Sequence, residues 1–129
     1  MAESRMQALV VDDNLALARV TQFALQRIGC EATTAGNGRI ALDLARARQF
    51  DVVVTDQQMP EMTGVELCRN LRNLPGYGST PLVMLTAKGL EMELSTLQEE
   101  LGIRRVFPKP FSPSEVAAAV QDALTTAAP

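Results

Sequence analysis

Short apolar runs alternate five times with stretches of helical periodicity along this chain. The runs predict five β-strands, at Gln7–Val11, Cys30–Thr34, Val52–Thr55, Leu82–Leu85 and Ile103–Phe107. Three of the runs are apolar at consecutive positions, which is typical of strands that are covered on both faces. The alternation therefore predicts an α/β domain with a single five-stranded parallel sheet, right-handed crossovers and helices on both faces.

The stretches between the predicted strands carry apolar residues at the spacing of an amphipathic helix. The first helix is predicted to bury one continuous stripe, which consists of Leu17, Val20, Thr21, Ala24, Leu25 and Ile28. The fourth is predicted as one helix with an apolar side formed by Leu90, Leu94, Leu97 and Leu101. In the last helix, Ser112 is expected to cap the N-terminus and Pro113 to take the first helical position.

Length and composition fit a single globular domain. With 129 residues, of which 47% are hydrophobic and 21% charged, the chain is long enough to bury a core without disulfides. We expect one domain over residues 1–129, with a core from about 6 to 125, and no output domain is visible in the sequence. The two cysteines, Cys30 and Cys68, are expected to be free thiols in the core.

Charge and hydropathy argue against several classes of function. The net charge is −3, the longest basic cluster is Arg104–Arg105 and there is no Trp, so the usual features of a nucleic-acid-binding surface are missing. No apolar stretch is long enough to span a bilayer, and the N-terminus does not resemble a signal peptide. These features predict a cytoplasmic protein that binds neither nucleic acid nor a membrane.

Polar residues stand at four of the five predicted strand ends. Asp12 and Asp13 follow the first strand, and Asp56 follows the third. Thr86 ends the fourth strand, and Lys109 lies just beyond the fifth. Functional crevices in open parallel sheets lie beyond the carboxyl ends of the strands, so we expect these side chains at one edge. If the first and third strands are neighbours, three carboxylates meet there.

Three carboxylates in one place require either protons or a cation. Two like charges ~5 Å apart repel by roughly 3 kcal/mol at an effective dielectric of about 20. Because the chain has no histidine and these ligands are all oxygens, the pattern favours a hard cation such as Mg²⁺ or Mn²⁺. Lys109 and Thr86 would then meet the oxygens of a phosphoryl group, and one carboxylate would be the nucleophile that receives it.

Each of these residues also has an ordinary structural explanation. Asp12 and Asp13 precede a helix, where acids serve as caps and as partners of the helix dipole. Taken alone, Asp56 could be a turn residue, Thr86 a hydroxyl at a strand end and Lys109 a solvated surface charge. The ordinary explanation, however, needs a separate coincidence at each of four strand ends.

Four motifs carry a resemblance to a known family. They are VVDDN at Val10–Asn14, DQQMPEMTG at Asp56–Gly64, LTA at Leu85–Ala87 and FPKPF at Phe107–Phe111. In this order and spacing they resemble the receiver domains of response regulators, in particular those similar to chemotaxis regulators, and the similarity covers nearly the whole chain. The resemblance implies a flavodoxin-like sheet of strand order 2-1-3-4-5 and a role in two-component signal transduction of the bacterial type.

The resemblance also implies a role for each residue at the strand ends. Asp56 would be the phosphoacceptor, Thr86 would follow the phosphoryl group and Lys109 would neutralise it. Mg²⁺ would be bound directly by Asp13, Asp56 and the backbone carbonyl of Gln58. Asp12 would bind the ion through a water. In this family the peptide bond corresponding to Lys109–Pro110 is typically cis.

Partners and output follow from the same resemblance. The phosphoryl donor would be a histidine kinase or a histidine phosphotransfer protein, since this chain has no histidine. Phosphorylation would alter the face formed by the fourth helix, the fifth strand and the fifth helix, which a downstream protein or a fused output domain would read. Such a protein is not an enzyme on other substrates, because it catalyses only its own phosphorylation and dephosphorylation.

Three positions bear on how far the family pattern applies. The position three residues before the lysine is usually aromatic in the family and turns inward on activation, whereas here it is Val106. A valine side chain is too small to make that large rotation. The positions that tune the lifetime of the phosphoryl group are Gln58 and Lys88 here, and both side chains are long enough to reach an attacking water.

Two other functions fit part of the pattern. A phosphatase of the haloacid-dehalogenase type also uses a strand-end aspartate with threonine, lysine and Mg²⁺. That class needs a second aspartate two residues after the nucleophile, where this chain has Gln58, and the chain shows no cap domain. A pseudo-receiver that binds partners without phosphorylation usually lacks one of the acids or the lysine, and this chain has all of them.

Overall fold

The computed structural model describes residues 5–126, apart from the side chain of Met92. Within these residues, five parallel strands form one sheet of order β2-β1-β3-β4-β5, which confirms the predicted fold. They are β1 at Gln7–Val11, β2 at Glu31–Ala35, β3 at Val52–Asp56, β4 at Leu82–Thr86 and β5 at Ile103–Pro108. Compared with the prediction, β2 lies one residue later, and β3, β4 and β5 each end one residue later. Asp56 and Thr86 are therefore the last residues of their strands.

In the part of the chain that the structure describes, five α-helices connect and cover the strands. They are α1 at Leu15–Arg27, α2 at Gly38–Ala47, α3 at Gly64–Arg72, α4 at Ser95–Leu101 and α5 at Pro113–Thr126. At the start of α5 the Ser112 hydroxyl accepts the N–H of Glu115, so the predicted cap is confirmed. Within the described part of the chain, no helix has both the length and the apolar character that a bilayer crossing requires.

The segment before α4 departs from the prediction of a single helix beginning near Leu90. The structure has a 3₁₀ turn at Glu91–Leu94, and the α-helix begins only at Ser95. The Glu91 carboxylate accepts the N–H of Gly89 at 2.6 Å, which ties the segment back to the preceding loop. The leucine spacing did not reveal this break, because side chains three residues apart share a face in both kinds of helix.

The sheet separates two apolar cores, since successive side chains of a strand point to opposite faces. We call the first the α3 core, whose buried residues include Leu9, Val11, Val53, Leu67, Cys68, Leu71 and Met84. We call the second the α5 core, whose buried residues include Ala8, Val10, Leu25, Cys30, Val54, Leu85, Val116 and Val120. Both cysteines are buried and unpaired, as predicted.

The buried stripe of α1 differs in part from its prediction. Val20, which was expected to face the core, is 43% exposed. The fully buried positions of the helix are Ala18, Thr21 and Leu25. The reason is that α1 packs both on the sheet and against α5, and this contact selects a stripe rotated from the one that apolar periodicity alone suggests.

Candidate functional site

The order of the strands brings the first two acidic positions together at the centre of the sheet. β1 pairs with β3 in a register that places Val11 beside Thr55, so the residues that follow, Asp12 and Asp56, are also neighbours. Both side chains are buried, with 2% and 1% exposure, whereas Asp13 is exposed. The carboxylates of Asp12, Asp13 and Asp56 offer oxygens that lie within 4.8 Å of one another. The predicted convergence of three acids at one edge is thus present.

Lys109 is aimed into this acidic cluster. Its Nζ lies 2.9 Å from Oδ1 of Asp56 and 3.9 Å from Oδ2 of Asp12. The backbone N–H of Lys109 donates to the carbonyl oxygen of Thr86 at 2.7 Å, which fastens the end of β5 to the end of β4. The Lys109–Pro110 peptide bond is cis, as the resemblance to receiver domains implied.

Burial raises the pKa of both Asp56 and Asp12 above that of an ordinary aspartate. For Asp56 the loss of hydration is the largest cause, and it outweighs the hydrogen bond and the charge of Lys109, which lower the pKa. For Asp12 the loss of hydration is again the largest cause, opposed by a hydrogen bond from the N–H of Asn14 and by Lys109. One ammonium group therefore does not fully offset the burial of two carboxylates.

The donors of this cluster fit a hard divalent cation. Oδ1 of Asp12 accepts the N–H of Asn14 at 2.9 Å, whereas its buried Oδ2 has no hydrogen-bond partner among the described residues. A buried carboxylate oxygen left in this way normally has a proton or a cation beside it. Oxygen-only ligands suit Mg²⁺, which keeps several waters when it binds to proteins. The residues present could therefore hold such an ion.

Thr86 and Gln58 meet at the end of β4. The Thr86 side chain is fully buried, and its Oγ1 accepts a hydrogen bond from Nε2 of Gln58 at 2.9 Å. The same amide accepts the backbone N–H of Ala87 through Oε1 at 2.8 Å. The sequence marked Gln58 as a long polar side chain, but it carried no signal that the amide reaches across to the neighbouring strand.

A close backbone approach explains the glycine that follows the acidic loop. The N–H of Gly64 donates to the carbonyl oxygen of Gln57 at 3.0 Å. A Cβ atom on Gly64 would lie 2.4 Å from the carbonyl oxygen of Asp56, which is far inside van der Waals contact. Gly64 thus lets α3 start directly against the strand end that carries Asp56.

Val106 stands on β5 three residues before Lys109. It is half-buried and packs against the α3 core. Its two exposed neighbours on the strand are Arg104 and Arg105, and the guanidinium of Arg105 lies 4.7 Å from the centre of the Phe107 ring.

A family model described as the response regulator receiver domain matches residues 8–121 of this chain. The chain belongs to the response regulator receiver family. Receiver domains are signalling components of two-component systems rather than classical enzymes. In this receiver, Asp12, Asp13 and Asp56 form the acidic pocket.

Individual relatives agree with this assignment. The alkaline phosphatase synthesis transcriptional regulatory protein PhoP of Bacillus subtilis is 39% identical over 113 residues, which are 88% of this chain and 46% of that protein. The DNA-binding response regulator MtrA of Mycobacterium tuberculosis is 36% identical over 121 residues, 94% of this chain and 51% of that protein. The receiver thus spans about half the length of the curated relatives it matches.

Solved structures give the same fold. The chemotaxis protein CheY4 of Vibrio cholerae superposes with a TM-score of 0.84 at 32% identity, covering 92% of this chain and 98% of that one.

Proposed function

We propose that this receiver is a phosphoacceptor switch that takes a phosphoryl group onto Asp56 from a histidine of a partner kinase or phosphotransfer protein. The observation that supports it best is the position of Asp56 at the end of the central strand β3. There Asp56 is buried beside Asp12 and has the Lys109 ammonium 2.9 Å away. A partner must supply the histidine, because this chain has none.

In the proposed transfer, a carboxylate oxygen of Asp56 attacks the phosphorus atom. A new P–O bond forms, the P–N bond to the donor imidazole breaks, and the imidazole leaves with the electron pair and takes up a proton from solvent. Phosphoryl transfer depends mostly on position and on neutralising charge, and Lys109 provides a cation at this edge of the sheet.

Asp13, Asp56 and the backbone carbonyl of Gln58 would hold Mg²⁺ or Mn²⁺, and Asp12 would act through a water. The bound ion would supply the further positive charge that the carboxylates and the incoming phosphoryl oxygens need. Oδ2 of Asp12, which is buried and accepts no hydrogen bond from the described residues, supports this assignment.

The phosphoryl group adds about −1.5 to −2 charge at Asp56. Thr86 and Lys109 are drawn toward it, and the loops after β3 and β4 shift with them. The face of α4, β5 and α5 then differs between the two forms. A cytoplasmic target protein, or an output domain fused to this receiver of about residues 6–125, would read the difference.

Intact-mass spectrometry after incubation with acetyl phosphate and Mg²⁺ tests the proposal. We expect the wild type to gain one phosphoryl mass, and the Asp56→Asn variant to gain none. The matched control is Asp43→Asn, which removes an exposed acid on α2 and should be labelled like the wild type.

Two outcomes would count against the phosphoacceptor function. Full labelling of Asp56→Asn would reject the acceptor residue. An unlabelled wild type would favour a pseudo-receiver that binds partners without phosphorylation.

The same samples should show no hydrolysis of generic phosphate monoesters, because Gln58 stands where a haloacid-dehalogenase phosphatase has its second aspartate.

A further inference from the structure

The amide of Gln58 has both of its ends engaged at the end of β4. Nε2 donates to Oγ1 of Thr86 at 2.9 Å, and Oε1 accepts the N–H of Ala87 at 2.8 Å. Because a backbone N–H can only donate, its bond to Oε1 fixes the orientation of the amide and leaves Nε2 facing the hydroxyl. We call this pair of hydrogen bonds the Gln58 latch.

The backbone on either side of Gln58 is held by contacts that do not involve its side chain. The N–H of Gln57 donates to the carbonyl oxygen of Leu85 at 2.8 Å. Met59 is 7% exposed and packs in the α3 core. Gln58 itself is exposed. The amide can therefore leave the end of β4 by rotating its own side chain, while the loop that carries it stays in place.

We propose that Gln58 is a positioning residue that closes this latch in the unphosphorylated receiver and must release the Ala87 N–H before that group can bind a phosphoryl group on Asp56, whereas the Thr86 hydroxyl, an acceptor in the latch, keeps its own proton to donate. The inference rests on the proposed function, which puts the phosphoryl group at this edge. A phosphoryl group brings three strong acceptor oxygens. The Ala87 N–H has a single proton to donate, so the amide oxygen of Gln58 and a phosphoryl oxygen compete for it.

The strength of the latch sets the size of the expected effect. Water competes for both bonds, and fixing the long side chain costs entropy, so the two hydrogen bonds favour the closed latch only modestly. When only a fraction of molecules is competent to bind, the apparent affinity falls by that fraction. Removing the amide should therefore tighten binding of a phosphoryl mimic by about threefold to tenfold.

Gln58→Met is the variant that tests the latch, because methionine has nearly the same length and keeps the backbone carbonyl but cannot form either hydrogen bond. The matched control is Gln26→Met, the same change at an exposed position of α1. The probe is beryllofluoride with Mg²⁺, a mimic of a carboxylate-bound phosphoryl group. Two quantities are measured by NMR, namely the apparent Kd for beryllofluoride and the hydrogen-exchange rate of the Ala87 amide in the protein without beryllofluoride.

We expect Gln58→Met to lower the Kd for beryllofluoride by about threefold to tenfold and to speed exchange of the Ala87 amide, while Gln26→Met changes neither. An unchanged or raised Kd in Gln58→Met, with the wild type labelled normally by acetyl phosphate, would overturn the latch and leave the phosphoacceptor function standing. A wild type that neither binds beryllofluoride nor accepts a phosphoryl group would overturn both.

Discussion

Asp12 and Asp56 are buried acids whose pKa values are raised because the folded chain strips water from them. In the absence of a bound cation such residues lower the stability of the protein at neutral pH. Proton binding determines whether stability rises or falls with pH. Between the ordinary pKa and the raised one, the folded chain binds more protons than the unfolded chain, so stability falls as the pH rises through that window.

Replacing Asp12 with Asn should therefore stabilise the metal-free protein at neutral pH. We expect Asp12→Asn to raise the free energy of unfolding by about 1 kcal/mol, since the amide carries no charge and can still accept the N–H of Asn14. The gain should disappear below about pH 3.9, where the wild-type aspartate is protonated in both states. Urea unfolding with a chelator present, at both pH values, measures it.

In excess Mg²⁺ the wild type should become more stable than Asp12→Asn, because an ion that binds only the folded state stabilises the wild type. Asp13→Asn is the informative comparison, since Asp13 is exposed. It should change the metal-free stability little and should still weaken the stabilisation by Mg²⁺. If Asp12→Asn were less stable than the wild type at neutral pH without metal, the account of the buried charge would be wrong.

At the scale of elements, one arginine of α3 binds its helix to two other segments. The Arg72 guanidinium donates to four backbone carbonyl oxygens, two at the C-terminal end of α4 and two in the loop before β4. They belong to Leu101 at 2.8 Å, Gly102 at 3.2 Å, Tyr77 at 2.8 Å and Thr80 at 2.8 Å. One side chain thus satisfies carbonyl groups that a helix end and a loop would otherwise leave to water.

We expect Arg72→Ala to lower the free energy of unfolding by about 2–4 kcal/mol, because several charge-assisted hydrogen bonds are lost together. Arg69→Ala is a control on the same helix. Arg69 makes one exposed salt bridge, to Glu100 at 3.3 Å, and its loss should cost less than about 1 kcal/mol. Equal losses of unfolding free energy for the two substitutions, measured by urea unfolding, would show that the hydrogen bonds from Arg72 to the carbonyl groups do not stabilise the fold more than an exposed salt bridge does.

At the scale of the whole molecule, the sheet places one cysteine in each apolar core. Cys68 belongs to the α3 core and Cys30 to the α5 core. Burial raises the pKa of both thiols, that of Cys68 to about 12. Neither can form a reactive thiolate at neutral pH while it is covered, so their reactivity reports how the two cores open.

If the domain unfolds cooperatively, both thiols should be alkylated at the same slow rate, with the same dependence on urea. Peptide-resolved mass spectrometry after timed addition of iodoacetamide measures the two rates separately. Faster reaction of Cys30 alone would show that the side of the sheet covered by α1 and α5 opens locally, which contradicts a single cooperative unit.

The sequence was sufficient to predict the sheet and the acidic edge, for a physical reason. Buried parallel strands appear as continuous apolar runs, and the carboxyl ends of such strands lie at one edge, so the sequence alone predicts that Asp56 and Lys109 lie at the same edge. What it could not predict depends on contacts between distant segments. The exposure of Val20, the reach of Gln58 to β4 and the bonds of Arg72 are set by packing angles and rotamers, which no local pattern records.

The two ends of α4 are held very differently. Its C-terminal end is bound by Arg72 and closed by Gly102 in the left-handed conformation, at φ 68°. Its N-terminal end follows the 3₁₀ turn and has no side-chain cap at Leu94. Hydrogen bonds from α3 therefore hold the C-terminal end of α4, whereas its N-terminal end continues from the segment that leaves Thr86. If phosphorylation shifts that segment, we expect the N-terminal end of α4 to be displaced more than the end held by Arg72.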